Sequence, residues 1–257
     1  MILTGDYHTH TVYSHGKGNI EENIKEAVKK GLKTIAITDH GYAHRSFGVN
    51  DRKIAKMRKE IIEVQKNYDI EILLGVEANL TGLDGTVDLR KEKFKDLDIF
   101  LMGAHKFIAY HKVSDWYYLL ICNFFANRVK RYSKKLTARN TKAYIEAIKK
   151  YPIDAVTHLD FDTHVDAVEI AKAAADYGTY IEINSKREHL SPEILKEIEN
   201  AGANFLVCSD AHKAERIGDV NLAFEIIKKA GLNLERIHNI DGRKPNFRFK
   251  EFKDRNL

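Results

Sequence analysis

The chain has 257 residues, of which 44% are hydrophobic and 31% are charged, and its formal net charge is +5 at pH 7. This composition supplies a core for one large domain, and the small positive charge tolerates an anionic substrate without requiring nucleic acid. The two cysteines, Cys122 and Cys208, form no CxxC pair, which excludes a disulfide scaffold and predicts a reducing cytoplasm. The first residues predict neither a signal peptide nor a membrane span, so no membrane partner is expected.

Short apolar runs of the length of buried parallel strands recur along the chain. Residues 5–10 are predicted as the first strand, and the later runs lie at residues 34–37, 72–76, 98–102, 153–156, 179–183 and 204–207. Amphipathic helical stretches separate the runs. Their apolar stripes begin at Ile20, Ile54, Val168 and Val220.

The alternation of strands and helices predicts an α/β fold with a parallel sheet and helices outside it. About seven such units in a chain of this length favour a closed barrel. An open, doubly wound sheet is the alternative, which the lack of a glycine-rich dinucleotide loop after the first strand weakens. We expect a single domain over residues 1–257.

One segment, residues 106–140, interrupts the alternation and is predicted to be an insertion with a helix of its own. Its residues 116–125 are aromatic and apolar, and could form a lid, a subunit interface or ordinary core; we favour core or interface. The basic run that follows Asn127 either recruits an anionic substrate or is a solvated helix face, and we favour the solvated face. Whether the chain forms a homo-oligomer is left open by the sequence.

Histidines and carboxylates accumulate at one end of the predicted strands. His8 and His10 lie two residues apart in the first strand, so their side chains project from the same face and can chelate one ion. Taken alone, such a pair also suits a solvated strand end. Further candidates follow the later strands, namely His40, Glu77, His105, His158, Asp210 and His212.

The carboxyl ends of the strands of a closed barrel converge on one face, so these side chains are expected to form one site. Imidazole and carboxylate ligands suit zinc, manganese or iron. Glu77 can bridge two ions, because a carboxylate has two oxygens. Several divalent ions with only two carboxylates leave the site positive, which predicts an anionic substrate such as a phosphate ester.

The same residues resemble the PHP (polymerase and histidinol phosphatase) superfamily over residues 6–212. The resemblance rests on DYHTHT followed by His15, TDHG with His40, GVE with Glu77, GAH with His105, THL with His158 and CSDAH with Asp210 and His212. It implies a distorted (β/α)7 barrel, similar to a TIM barrel, with three divalent metal ions at its C-terminal face.

The resemblance also implies how the ligands divide among the ions and how the reaction proceeds. A hydroxide held between metals would be the nucleophile, with no separate protein nucleophile. One ion would take His8, His10, Glu77 and Asp210, a second Glu77, His105 and His158, and a third His15, His40 and His212.

Four residues are candidates for binding the substrate. Lys106 follows His105 directly and either contacts the phosphate or is an exposed lysine. Arg187 follows the strand at residues 179–183, and a guanidinium matches phosphate oxygens well. His189 lies in the same loop, and Arg45 follows the TDHG sequence; either could instead be an ordinary polar loop residue.

The leading hypothesis is a hydrolase of small phosphate monoesters, with histidinol phosphate as one candidate substrate. A nuclease or nucleotide phosphoesterase is the second hypothesis, which the basic run motivates, although nucleic acid is the less favoured partner. A regulatory module that holds metal without catalysis is a remote third. The complete set of expected ligands weakens it.

Overall fold

A computed structural model describes residues 1–256. Seven parallel strands follow one another around a single sheet in chain order, which confirms the predicted α/β barrel. The strands are Gly5–Asp6 (β1), Thr34–Ile37 (β2), Glu71–Asn79 (β3), Ile99–Gly103 (β4), Ala155–Val156 (β5), Tyr180–Asn184 (β6) and Phe205–Cys208 (β7).

Helices pack on the outside of the sheet, most of them between successive strands and the last two after β7. They span Ile20–Lys29, Asp51–Gln65, Lys134–Lys150, Ala167–Tyr177, Pro192–Asn200, Asn221–Ala230 and Arg248–Asn256, with short 3-10 helices at Lys91–Asp96, Ala214–Arg216 and Leu234–Arg236. Their apolar stripes are buried against the sheet, as the periodicity predicts; Ile54, Met57, Ile61 and Val64 are all buried in the second helix. Among residues 1–256 we find no helix suited to crossing a membrane.

β5 is two residues shorter than predicted, and two further strands, β1 and β3, differ more from their predicted bounds. β1 ends at Asp6 instead of continuing to residue 10, because beyond it only Thr9 makes isolated backbone contacts, with Thr38 and Ala211 in the segments that follow β2 and β7. β3 is longer than predicted and continues to Asn79, so Glu77 lies within the strand and not at its end. In both cases the strand still delivers its polar side chains to the carboxyl end of the barrel.

The barrel is nearly closed, and the side chain of Asn239 joins its two edges. The Asn239 amide donates to the Gly5 carbonyl in β1 (2.9 Å) and to the Val207 carbonyl in β7 (2.6 Å), and it accepts from the Val207 N–H (2.9 Å). A single backbone bridge between Thr9 and Ala211 completes the junction. A buried amide therefore replaces part of the missing ladder between β1 and β7.

The predicted insertion contains a helix of its own, as expected. It is α-helical over Val113–Asp115, a π-helix over Trp116–Cys122 and α-helical again over Asn123–Val129. It lies between β4 and β5, on the side of the barrel where the strands end. We refer to residues 113–129 as the insertion helix.

Candidate metal centre

The fold brings the predicted histidines and carboxylates together at the carboxyl end of the barrel. Every strand except β6 contributes at least one of them, either from its last residues or from the loop that follows. Most of these side chains are buried or nearly so, although His15 is exposed. The arrangement places a concentration of nitrogen and oxygen ligands where active sites of such barrels lie.

Glu77 occupies the middle of the cluster and is fully buried. Its Oε2 atom lies 3.1 Å from His40 Nδ1, 3.3 Å from His8 Nε2 and 3.3 Å from His105 Nε2. Its other oxygen, Oε1, accepts from the Thr157 hydroxyl and lies 2.7 Å from His158 Nε2. One carboxylate therefore faces four imidazoles at short range.

Several of these atoms have no hydrogen-bond partner, although they are buried among polar groups. They are Glu77 Oε2, His10 Nδ1, His40 Nδ1 and His105 Nε2. Unpaired buried polar atoms are costly, and a set of them that converges on one point is the pattern that a metal ion satisfies. The donor set therefore fits divalent cations of the zinc or manganese type.

The side chains of His8 and His10 project from the same face, as the alternation of side chains in an extended segment predicts. Their Nε2 atoms face one another at 3.0 Å. Asp210 Oδ1 comes from the other edge of the barrel to within 3.5 Å of His10 Nε2 and 3.9 Å of His8 Nε2. These three side chains can hold one ion between them.

The ligand groups differ in part from the division that the resemblance implies. Sets of atoms within 4.8 Å of one another are formed by His8, His10 and Asp210, by His40, Glu77 and His105, and by His10, His40 and His212. His40 thus joins two sets, because its ring lies between Glu77 and His10 and not beside His15 alone. His15 and His158 belong to no set, but the His15 ring lies 4.2 Å from the His212 ring.

A buried glutamate that the sequence analysis did not select orients His8. Glu182 in β6 places Oε1 2.7 Å from His8 Nδ1, and its Oε2 accepts from the backbone N–H of His158 (2.6 Å). This bond directs the His8 Nε2 lone pair toward Glu77 and Asp210. In the sequence, the feature that could have identified Glu182 was its charge in the centre of an apolar strand run. A glutamate is rarely buried in such a place unless a partner pairs with it.

His105 is held in a similar way by an amide. Asn79 Oδ1 lies 2.8 Å from His105 Nδ1, and the Asn79 side chain in turn donates to Asp88. Asp88 also accepts from the backbone N–H groups of Asn79 and Ala43. Both imidazoles therefore present Nε2 to the centre of the cluster because a second residue holds Nδ1.

Burial and mutual charge set the protonation of the cluster. Burial lowers the pKa of His40 to about 3, and the neighbouring His105 and His15 act in the same direction. Burial alone would raise the pKa of Glu77, but His105, His8 and His158 outweigh it and hold the pKa well below its usual value. A neutral imidazole beside an ionised carboxylate is the form in which both groups bind metal.

Two of the predicted ligands have left-handed backbones. His158 has φ of 27° and Asp210 has φ of 48°. Non-glycine residues rarely adopt these values, which cost free energy unless neighbouring contacts enforce them. Glu182 bonds the His158 backbone, and Lys186 contacts the Asp210 carboxylate at 3.2 Å. The strain therefore lies at the point where both side chains turn into the site.

A cavity of about 250 Å³ opens beside the cluster, lined by ligands together with aromatic and basic side chains. Of the four predicted substrate-binding residues, Lys106, Arg187 and His189 line it, whereas Arg45 is exposed and does not. Lys106 also forms an ion pair with Asp162 at 2.6 Å. His44, which also follows the TDHG sequence, lines the cavity as well, and the lining residues that were not expected in this role are Phe47, Phe107, Phe161 and Lys186.

Comparison with known proteins places this arrangement in a family. A family model described as PHP domain matches residues 6–186. A protein named "Probable phosphatase" from Thermoanaerobacter sp. (strain X514) is 32% identical over 256 residues, covering 94% of this chain and 92% of that protein. A "Probable phosphatase" from Shewanella halifaxensis (strain HAW-EB4) is 31% identical over 249 residues, covering 91% and 87%.

A solved structure shares the fold. It is a histidinol phosphate phosphatase from Lactococcus lactis subsp. lactis Il1403, complexed with zinc, L-histidinol and phosphate. It aligns with a TM-score of 0.61 at 17% sequence identity, covering 91% of this chain and 95% of that one.

Proposed function

The chain belongs to the PHP domain family, and from this membership and the geometry of the site we propose that it is a metal-dependent phosphatase of small phosphate monoesters. The observation that carries the proposal is the Glu77 carboxylate, which faces four imidazoles while its Oε2 atom has no hydrogen bond. Without cations at this point, the site would contain several unsatisfied buried polar atoms.

We propose that the nine predicted residues hold three divalent ions, with Glu77 as the shared ligand. His8, His10 and Asp210 form one set of ligands, and the sets that contain His40 form the others. Bound ions would polarise a phosphoryl group and increase the acidity of a water molecule. Two relatives carry the name "Probable phosphatase", which supports this chemistry.

The side chains at the cavity wall would bind and orient the phosphate. Lys186 is the nearest cation to the cluster, with Nζ 3.2 Å from Asp210 Oδ1 and 3.1 Å from His212 Nδ1. Arg187 lies over the Phe161 ring at 4.9 Å, which leaves its guanidinium edge free to pair with phosphate oxygens. Lys186 and Arg187 thus supply two positive charges on one side of the cavity.

The size and lining of the cavity favour a small substrate. A volume of about 250 Å³ suits a compact phosphate ester. Phe47, Phe107 and Phe161 at the wall provide apolar surface for the alcohol part of the ester. Histidinol phosphate is one candidate, since a relative in fold binds L-histidinol and phosphate.

A substrate panel tests the proposal. Purified protein supplied with manganese or zinc is expected to release phosphate from at least one phosphorylated metabolite, and to lose this activity with Glu77→Gln. A diester such as bis(p-nitrophenyl) phosphate and single-stranded oligonucleotides serve as comparison substrates. If only diesters or oligonucleotides were hydrolysed, the protein would be a nuclease or phosphodiesterase and not a phosphatase of monoesters. If no ester were hydrolysed, both hypotheses would be refuted.

A further inference from the structure

The insertion helix turns its apolar side outward. Four of its aromatic side chains, Trp116, Tyr117, Phe124 and Phe125, are between 44% and 61% exposed. Leu120 and Ile121 between them are partly exposed. Pairs of apolar residues therefore recur every four positions and share one side of the helix. We call these six residues, 116, 117, 120, 121, 124 and 125, the aromatic stripe.

The side of the insertion helix that faces the protein is held by polar bonds. Asp115 is 4% exposed and accepts from the backbone N–H of Leu83. Asn123 is also buried, and the side chain of Asn140 donates to it at 2.8 Å. A surface helix normally buries its apolar side and exposes its polar one. In the insertion helix the inward side combines these polar bonds with the buried Leu119 and Ala126, while its large aromatic side chains face outward.

Charge is distributed unevenly along this segment. From Val113 to Asn127 the only charged residue is the buried Asp115. After Asn127 the chain contains no acidic residue before Glu146. Six exposed basic residues lie in this interval, and we call the first five of them the basic flank: Arg128, Lys130, Arg131, Lys134 and Lys135. An uncharged apolar stripe therefore leads directly into a cationic surface.

We propose that the aromatic stripe and the basic flank dock this protein on the surface of an anionic lipid bilayer. A helix with apolar and aromatic residues on one side inserts that side among the lipid headgroups, and flanking lysines and arginines attract anionic lipids. Trp116 and Tyr117 suit this interface because their rings combine an apolar body with a polar group. The helix would lie along the bilayer and not cross it.

Charge complementarity favours a lipid surface over a second copy of the chain. Two stripes packed antiparallel would bring the basic flank of one copy close to Lys112 of the other, with no exposed acidic residue in this segment to pair with either. A single strand of nucleic acid fits less well, because its phosphates would meet no cation along the stripe itself. An anionic bilayer offers apolar depth and negative charge together.

The location of the insertion helix links this surface to the cavity. The Asn127 side chain donates to the Asp162 carbonyl at 2.9 Å, and the Asp162 carboxylate pairs with Lys106. Both Lys106 and the adjacent Phe161 line the cavity beside the metal centre. Docking would therefore hold the mouth of the cavity close to the bilayer. The proposal does not depend on which ester the site hydrolyses.

Trp116 provides a direct test, because it is the only tryptophan in the chain. The full chain is mixed with phosphatidylcholine vesicles, with or without phosphatidylserine. We expect the Trp116 emission to shift to shorter wavelength, and the protein to sediment with vesicles, only when phosphatidylserine is present. High salt should reverse both effects, because it screens the basic flank. No shift and no sedimentation with anionic vesicles would overturn the proposal.

Paired variants locate the binding surface. Phe124→Ser with Phe125→Ser should abolish vesicle binding, and Lys130→Ala with Arg131→Ala should weaken it about thirtyfold. Ile62→Ser and Lys228→Ala with Lys229→Ala change exposed residues elsewhere and should leave binding intact. Circular dichroism verifies the fold of each variant. Binding that survives the stripe variant would overturn the proposal, as would emission that responds to protein concentration or oligonucleotide and not to lipid.

Discussion

At the scale of single residues, the site depends on side chains that hold other side chains. Glu77 faces the imidazoles directly, whereas Glu182 and Asn79 act on the far nitrogens of His8 and His105. A histidine whose Nδ1 is held in this way presents Nε2 in one fixed direction. Its side chain is already ordered, so it loses little rotamer entropy when a metal ion binds. The second group of residues should therefore influence metal affinity without contacting the metal.

Glu182→Gln tests this positioning role. Glutamine retains one carbonyl oxygen but loses the charge that favours the His8 Nδ1–H bond, so metal affinity should fall between about tenfold and a hundredfold. Competition with a chromogenic chelator measures the affinity. Glu199→Gln, a buried carboxyl that does not line the cavity, is the matched control. Unchanged affinity in the Glu182 variant would show that the bond is only structural.

The sequence predicted which residues converge but not how they divide. Parallel strands of a barrel end at one face whatever their side chains, so His8, His40 and Asp210 could be placed there from spacing alone. Their grouping depends on rotamers that the whole site determines, which is why His40 lies 3.1 Å from Glu77. Glu182 was missed because it lies within β6 and not after it, so that only its charge in an apolar run marked it.

At the scale of elements, β4 approaches β5 closely because it ends in a glycine. A Cβ atom built on Gly103 would lie 2.8 Å from His158 Cε1 and 3.2 Å from Glu77 Oε1, and would also contact the Thr157 hydroxyl. The space that a side chain would take is therefore occupied by the site itself. The lack of a side chain at Gly103 therefore leaves room for the candidate metal centre.

Gly103→Ala should reduce phosphatase activity at least tenfold, because the added methyl group displaces His158 or Glu77. Gly202→Ala is the control: its backbone φ is 95°, so alanine is strained there, but its Cβ would meet only Ala175 at 3.6 Å. Both variants should lose thermal stability, measured by scanning calorimetry. Equal activity in the two variants would contradict the role assigned to Gly103.

The insertion helix shows where periodicity could predict an element but not its environment. Its sequence indicated a helix, and the structure contains one. Residues 116–125 were predicted to form core or an interface; the exposure of Trp116, Phe124 and Phe125 makes core wrong for these side chains, whereas an interface stays a prediction. Apolar residues usually mark the buried side of a helix, and that inference fails for the exposed aromatic side chains because the polar Asp115 and Asn123 take part of the inward side.

At the scale of the whole molecule, closure of the barrel depends on a residue far from every strand in sequence. Asn239→Leu would leave the Val207 N–H and two carbonyl oxygens without partners between β1 and β7. We expect a loss of about 3 kcal/mol or more in the free energy of unfolding, measured by urea denaturation. Asn200→Leu, at an exposed helix end, should change it little. A similar small change for Asn239→Leu would refute this role.

The pH dependence of stability should reveal a second buried group, Asp154. Burial raises its pKa from 3.8 to about 7, although it accepts from the Phe249 and Phe100 N–H groups and lies near Arg248 and Lys253. The folded state therefore keeps a proton that the unfolded state releases. Its stabilising contribution is complete below pH 3.8 and is lost as the pH rises through about 7.

Asp154→Asn isolates this contribution from the other titrating groups. The difference in the free energy of unfolding between the natural chain and the variant should favour the natural chain most near pH 4, and shrink toward pH 8. Urea denaturation at a series of pH values provides the measurement. A difference that grows with increasing pH would mean that Asp154 is ionised in the folded protein.

The central claim is that the histidine and carboxylate cluster holds several divalent ions for phosphate ester hydrolysis. The most direct measurement is the rate of p-nitrophenyl phosphate hydrolysis by metal-stripped protein as manganese or zinc is added. We predict no activity without metal, a rise that saturates only above one equivalent per chain, and no rise in the Glu77→Gln variant. Full activity of stripped protein, or an unchanged response in the Glu77→Gln variant, would contradict the claim.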